Sequence, residues 1–342
     1  MDMDFTSEQE LLRDSVRRTC ARHSGPDVVR KLENDPVGYS PALWSALAEL
    51  GLLGLTVPEE HGGSGMSMLD AAIVYEELGR ALVPSPHFVS CVLAAGFIGR
   101  VGTERQQADW LPKIAGGDSV VSIAWLEPDG GFGAAGVQLA ARADDDAFRL
   151  SGVKRHVPFA RAADALIVLA RGDDGVVAVL VDPTAAGVTL DQQLTVAGDT
   201  QYRVGFDDVR VDATARLGGA DAWPAWHDTV LDGVILLAAQ AAGGARAALD
   251  LAVDYAKTRE QFDRPLGGFQ AIAHYLADAA SAVDGAETLV WEAAWARSQG
   301  LPTDQLAPMA KLYAGQTFRD VTATAVQIFG GVGFTVDFDI QL

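Results

Sequence analysis

The residues most able to do chemistry lie in the stretch YAKTREQFDRPLGGFQAI, residues 255–272. Arg259 and Gln261 put a guanidinium and an amide along one strip. A Pro and two Gly follow, and a new helix is expected to begin at Phe269. A guanidinium fork can hold two phosphate oxygens at once. The second such stretch is QIFGGVGF, residues 327–334, at a helix end. Its glycines, Gly330 and Gly331, would let the backbone approach a ligand with no Cβ in the way. Together the two stretches could hold a pyrophosphate and an adenine. On chemistry alone a plainer reading stays open. Glycines after a helix are also a stop signal, and Phe262 and Gln270 could serve core packing and helix capping.

A scaffold must bring these stretches together. The chain has 342 residues, 49% of them hydrophobic, enough for a large core and two or three domains. Residues 1–118 read as a helical domain. SEQELLRDSVRRTCARH sets Leu11, Leu12, Val16 and Cys20 at helical spacing, with Ser7 as N-cap and Glu10 as its capping-box partner. SPALWSALAELGLLGL is capped by Ser40, carries Pro41 at its first position and ends near Gly51. SMLDAAIVYEELGRAL and residues 86–100 and 104–115 are further helices. Residues 119–222 change period. Short β-branched runs, from SVVSIAWLE to QYRVGFDDVRV, are cut by turns such as ADDDA, RGDDG and DPTAAG. They predict an antiparallel β-domain of roughly seven or eight strands, a sandwich or barrel. Residues 223–342 return to long helices over about 226–258, 269–298 and 302–329, an antiparallel bundle of four-helix type. The fold class is α+β. A further helix is expected to start at about Asp337, and no cap or polar tail closes it before Leu342. Continuation and a natural end are both open there.

Composition removes several function classes. A net charge of -20 and a pI near 4.5 repel phosphate backbones, so no nucleic-acid partner is expected. A local basic pocket for a phosphorylated cofactor remains compatible with it. Cys20 and Cys91 have no paired spacing and read as reduced thiols, not as a disulfide or a metal site. The start, MDMDFTSEQELLRD, is acidic and amphipathic, unlike a signal peptide. The apolar runs are Ala-rich and broken by charges or Gly, so no membrane span is expected and the protein reads as cytoplasmic.

The joint pattern is more specific than any part. The α–β–α order carries VPEEHGGSGMS with YEELGRAL, then WLEPDGG, YAKTREQFDRPLGGFQAI and QIFGGVGF, in that sequence. Over almost its whole length the chain resembles the acyl-CoA dehydrogenase family of flavoproteins. That resemblance implies FAD and the removal of two hydrogens across the Cα–Cβ bond of an acyl-CoA thioester. It also implies a tetramer built as a pair of dimers and reoxidation by an electron-transfer flavoprotein. By the same resemblance Arg259, Gln261, Phe262 and Gln270 contact the FAD of the neighbouring subunit. Gln327, Gly330 and Gly331 lie along its adenosine–pyrophosphate portion.

The chain departs from the family pattern on one side only. The family's base is a Glu in a YEGT-like stretch some two dozen residues past the GG pair, a place beyond Leu342. In a minority of members it sits on the long helix, at the position of Gly233, and the neighbouring Arg is Val234. Asp228 and Asp232 are near but off that position and read as solvated carboxylates by a helix start. The family's TEP segment, whose Thr touches the flavin ring, reads LEP with Leu126. The aromatic and the Thr that pack on the ring are His156 and Pro158, and proline offers neither hydroxyl nor N–H. His156 is read as a surface or interface histidine in preference to a base. Residues that donate to a neighbour's FAD are kept, and those that cradle a subunit's own flavin are changed. The chain therefore resembles the companion subunit of actinobacterial heteromeric α2β2 acyl-CoA dehydrogenases of the steroid type. Two alternatives stand beside this: a self-sufficient homotetramer with its Glu beyond Leu342, and a non-catalytic CoA-ester-binding or scaffold member.

Overall fold

The computed structural model describes residues 4–342. Its α-helices are α1 (Ser7–His23), α2 (Pro26–Leu32), α3 (Pro41–Glu49), α4 (Met68–Arg80), α5 (Ala95–Val101), α6 (Glu104–Gly116), α7 (Trp223–Thr258), α8 (Gln270–Ser298) and α9 (Leu306–Phe329). Thr6, not Ser7, caps α1. Thr6 has the extended backbone an N-cap needs; its hydroxyl accepts from the Gln9 N–H and the Gln9 amide returns to the Thr6 N–H. Ser7 is already inside the helix, so Glu10 is not the box partner. Ser40 and Pro41 start α3 as expected. The run 86–100 is not one α-helix: Phe88–Ala94 is a π-helical turn and α5 follows it. Near Asp337 the chain forms only a 3-10 turn, Asp339–Gln341.

By their packing the elements form two compact units, which group differently from the order along the chain. One holds residues up to 29, 67–83 and 234–342; the other holds 30–66 and 84–233. The chain passes between them inside α7, after Gly233.

In the first unit α1 and α4 join the three long helices. The cluster at its centre takes Ala245, Leu249, Ala252 and Ala256 from α7, Ala279 and Val283 from α8, and Val321, Ala325 and Ile328 from α9. Small side chains let these helices approach closely. Helices α4 and α7 approach closely: a Cβ on Gly79 would lie 2.0 Å from the Gln240 carbonyl oxygen. Helix α7 has 36 residues and a window of mean hydropathy 1.3, long and apolar enough by length and composition to cross a membrane. Its apolar residues have a packing role, since Ala238, Ala239, Ala242 and Ala245 are all fully buried.

The second unit is built on an eight-stranded sheet. The strands are β1 (Val121–Ala124), β2 (Ala140–Asp144), β3 (Ala147–Pro158), β4 (Ala165–Arg171), β5 (Val176–Val181), β6 (Val188–Gln193), β7 (Gln201–Asp212) and β8 (Arg216–Leu217). All seven β-branched runs of the sequence become strands. They follow the path β6-β7-β3-β2-β4-β5-β8, with β1 branching beside β4. The sheet is mixed, not wholly antiparallel, because β1 pairs with β4 in parallel from Val121↔Ala165 to Ala124↔Val168, and β2 meets β4 in parallel at Ala140↔Arg171. The β1–β4 chain excursion makes room for this: 40 residues separate the two strands in sequence, enough for the crossover that parallel neighbours need.

Candidate functional site

The opening stretch folds as a corner in the first unit. After α7, a two-stranded ribbon pairs β9 (Glu260–Gln261) with β10 (Arg264–Pro265). Its register, Gln261↔Arg264, leaves Phe262 and Asp263 as a two-residue loop. Both have left-handed backbones, φ 56° and 63°, the signature of a type I′ turn. A phenylalanine rarely adopts that conformation. It carries the Phe262 ring out of the chain, 87% exposed. The Leu266 N–H donates to the Arg259 carbonyl and closes the base of the ribbon. Helix α8 begins at Gln270 with Phe269 as N-cap and no side chain capping it. Its first N–H groups therefore keep donor capacity, and the positive end of a 29-residue helix faces out. The Arg264 guanidinium stacks 3.9 Å over the Phe269 ring.

The glycine stretch meets this corner through aromatic packing. Tyr255, one turn before Arg259, stacks on Phe329 at 4.1 Å, and Phe338 sits edge-on to both. Leu266, Ile272 and Leu276 pack on the same cluster as Val326 and Phe329. The structure thus sets the two stretches on one apolar base.

What they present outward fits an anionic nucleotide cofactor. The side chains of Arg259, Gln270 and Gln327 are exposed and have no partner among the described residues. Gln261 uses one N–H on the Glu260 carbonyl. Gly330 has a left-handed φ of 67° that favours glycine. Gly331 does not, and a Cβ on it would meet nothing within 4 Å. Nothing inside the chain requires glycine at 331, whereas a ligand lying on that backbone would. Arg259, Gln270, Gln327 and the Gly330–Gly331 backbone are thus the groups that would hold such a cofactor.

The residues that depart from the family pattern lie elsewhere in the chain. In the second unit the Leu126 carbonyl accepts from the Arg155 N–H at 2.9 Å. His156 is exposed with a left-handed φ of 51°; its N–H donates to Gln193 Oε1, and Nδ1 lies 2.7 Å from Gln201 Oε1. The Pro158 carbonyl accepts from the buried Ser122 hydroxyl. Both Asp228 and Asp232 clamp one guanidinium, Arg100 on α5, through Nε and Nη2. They are structural ion-pair partners and not freely solvated. Gly233 is buried, and Val234 opens the other unit's share of α7.

Sequence reading missed a buried pair beside Leu126. Lys154, fully buried on β3, donates to Glu127 Oε1 at 2.7 Å and to the Trp125 carbonyl at 2.9 Å. The same Glu127 oxygen accepts from the backbone N–H groups of Gln138 and Leu139 at 2.8 Å. Burial pushes the Lys154 ammonium down to about 8, against the pull of Glu127. The pair pins the LEP segment between a strand and a loop. A lysine inside a β-run was its only trace in the sequence. Arg264 and the uncapped α8 start were also missed; both depend on a ribbon that no periodicity marks.

An α–β–α chain that turns a guanidinium, an uncapped helix start and a glycine backbone outward has groups that would suit a nucleotide cofactor. Comparison with known proteins makes the class specific. Family models for acyl-CoA dehydrogenase match in all three parts: the N-terminal domain at residues 6–118, the middle domain at 122–209 and the C-terminal domain at 223–342. The chain belongs to the acyl-CoA dehydrogenase family, whose cofactor is FAD. It is 32% identical to a probable acyl-CoA dehydrogenase, YngJ of Bacillus subtilis, over 100% of this chain and 92% of that one. It is similar to the structure of butyryl-CoA dehydrogenase from Megasphaera elsdenii, with TM-score 0.92, 30% identity and coverage of 100% and 92%. It is also similar to the ChsE4–ChsE5 complex from Mycobacterium tuberculosis, with TM-score 0.91, 29% identity and coverage of 100% and 91%.

Proposed function

We propose that this chain takes part in the FAD-dependent α,β-dehydrogenation of an acyl-CoA thioester as a companion subunit, completing the FAD site of a catalytic partner in an α2β2 tetramer. One observation carries this reading. The residues expected to reach a neighbour's cofactor, Arg259, Gln270 and Gln327, are exposed and have no partner among the described residues. Those expected to face this chain's own flavin are changed, and His156 is already engaged by Gln193 and Gln201. Bound FAD supplies the acceptor for the two hydrogens removed at Cα and Cβ. In this scheme Arg259, Gln261, Phe262 and Gln270 would hold the cofactor, the Arg259 guanidinium supplying a partner for phosphate oxygens. Gln327, Gly330 and Gly331 would lie along its adenosine–pyrophosphate portion. In this scheme a carboxylate of the partner subunit would take the α-proton, with Gly233 at this chain's own helix position. A heteromeric complex among the similar structures supports the assembly, and one described as an electron-transferring flavoprotein supports that protein as electron acceptor. Two free, buried thiols and an acidic chain support a cytoplasmic setting.

The test is expression alone and with the product of a neighbouring acyl-CoA dehydrogenase-like gene. The expected result is a co-purifying, yellow heterotetramer active on acyl-CoA or steroid-CoA esters with an electron-transfer flavoprotein, and a colourless chain when expressed alone. A stable, yellow, active homotetramer of this chain would sink the companion role.

A further inference from the structure

The space beside Gly233 is already occupied. The π-helical turn Phe88–Ala94 has hydrogen bonds that run five residues along, and such turns concentrate at functional points. Phe88 and Leu93 are five apart on it, both half-buried. A Cβ built on Gly233 would lie 2.9 Å from Leu93 Cδ2 and 3.1 Å and 3.4 Å from Phe88 Cζ and Cε2. These are side-chain tips, so a methyl needs only small shifts. A carboxylate carried two carbons further must displace both tips. It would then lie against an aromatic edge and a methyl group, with the Arg100 guanidinium already committed to Asp228 and Asp232. An unpaired carboxylate is strongly disfavoured in such a place.

We propose that Phe88 and Leu93 form a plug that closes position 233, so that the absence of a base on this helix is built into the packing of the π-helical turn and not only into the glycine. The inference rests on the companion-subunit reading and deepens it: restoring a base would require changes on two segments about 140 residues apart.

A double-mutant cycle on melting temperature tests it. Gly233→Glu should lower the melting temperature of the purified protein by roughly 5 °C or more. Phe88→Ala alone should also lower it. Phe88→Ala/Gly233→Glu should recover at least half of the loss caused by Gly233→Glu. Additive losses, or a Gly233→Glu protein within about 1 °C of the parent, overturn the plug. If Gly233→Glu fails to fold, a folded double variant supports the plug. If neither folds, Phe88→Ala gives no relief and the plug is overturned. Co-purification with the partner and the flavin-to-protein ratio are measured on the parent chain. They judge the subunit reading independently, because the melting cycle needs neither partner nor flavin.

Discussion

A Cβ on Gly243 would lie 1.9 Å from the carbonyl oxygen of Glu76. Helices α4 and α7 therefore meet backbone to backbone, and glycine is required at that crossing by space, not by φ. Gly243→Ala must push the helices apart, since the obstacle is main chain and cannot rotate away. The expected cost is about 2–3 kcal/mol, the upper part of the overpacking range. It is read as a lowered midpoint in urea with an unchanged slope.

The side chain of Glu76 sits at the same crossing. It is buried, accepts from Arg13 Nη2 at 3.0 Å and from the Trp291 indole, and has Glu77 and Glu287 nearby. Burial outweighs the Arg13 charge and pushes its carboxyl from the ordinary 4.5 up to about 8. The native state therefore binds this proton more tightly than the unfolded chain. The resulting stability is fully present below about pH 4.5 and is lost as pH rises through about 8. Melting curves between pH 5 and 9 should show Glu76→Gln losing less stability toward high pH than the parent. An identical pH slope in the two proteins would disprove this titration.

Lys154 and Glu127 form a pair in which neither partner can be removed alone. Lys154→Met leaves Glu127 buried without its cation, at an expected cost of roughly 3–5 kcal/mol. Lys154→Met/Glu127→Leu should regain much of that, though the Gln138 and Leu139 N–H groups then lose their acceptor. Faster amide exchange at 138 and 139 in the double variant is the accompanying signature.

Among the described residues Arg259 makes no side-chain bond, and Gly331 faces open space. Arg259→Lys and Gly331→Ala should leave the melting temperature of the isolated chain within about 1–2 °C of the parent, as surface changes do. In the assembled enzyme each should weaken FAD retention by roughly tenfold or more, since lysine cannot supply the bidentate fork and a methyl blocks close approach. Flavin absorbance after gel filtration reads the loss.

Much of this molecule was legible before any coordinates. Strand alternation and β-branched runs located all seven long strands, and the 3.6-residue period located the long helices to within a few residues. Ser40 with Pro41 was a readable cap, while Thr6 and Ser7, both competent, could be told apart only by which one is extended. The REQF and GGVG stretches were visible because their residue types are unusual for where they lie. These signals share a cause: each is written within a few residues along the chain, where backbone geometry alone links sequence to shape.

The tertiary structure decided what depends on distant partners. It brought α4 against α7 across some 160 residues, turning Gly79 and Gly243 from apparent helix weaknesses into contact points. It gave Asp228 and Asp232 to Arg100, 128 and 132 residues away, and placed Phe88 and Leu93 over Gly233. It also left Arg259 unpaired in a chain rich in carboxylates. None of these follows from local periodicity, because a side chain's neighbours across a packed core are set by how whole elements dock. The sequence by itself determined which elements form and which family they compose; only the packed structure decided which polar groups are consumed inside the chain and which remain to grip something outside it.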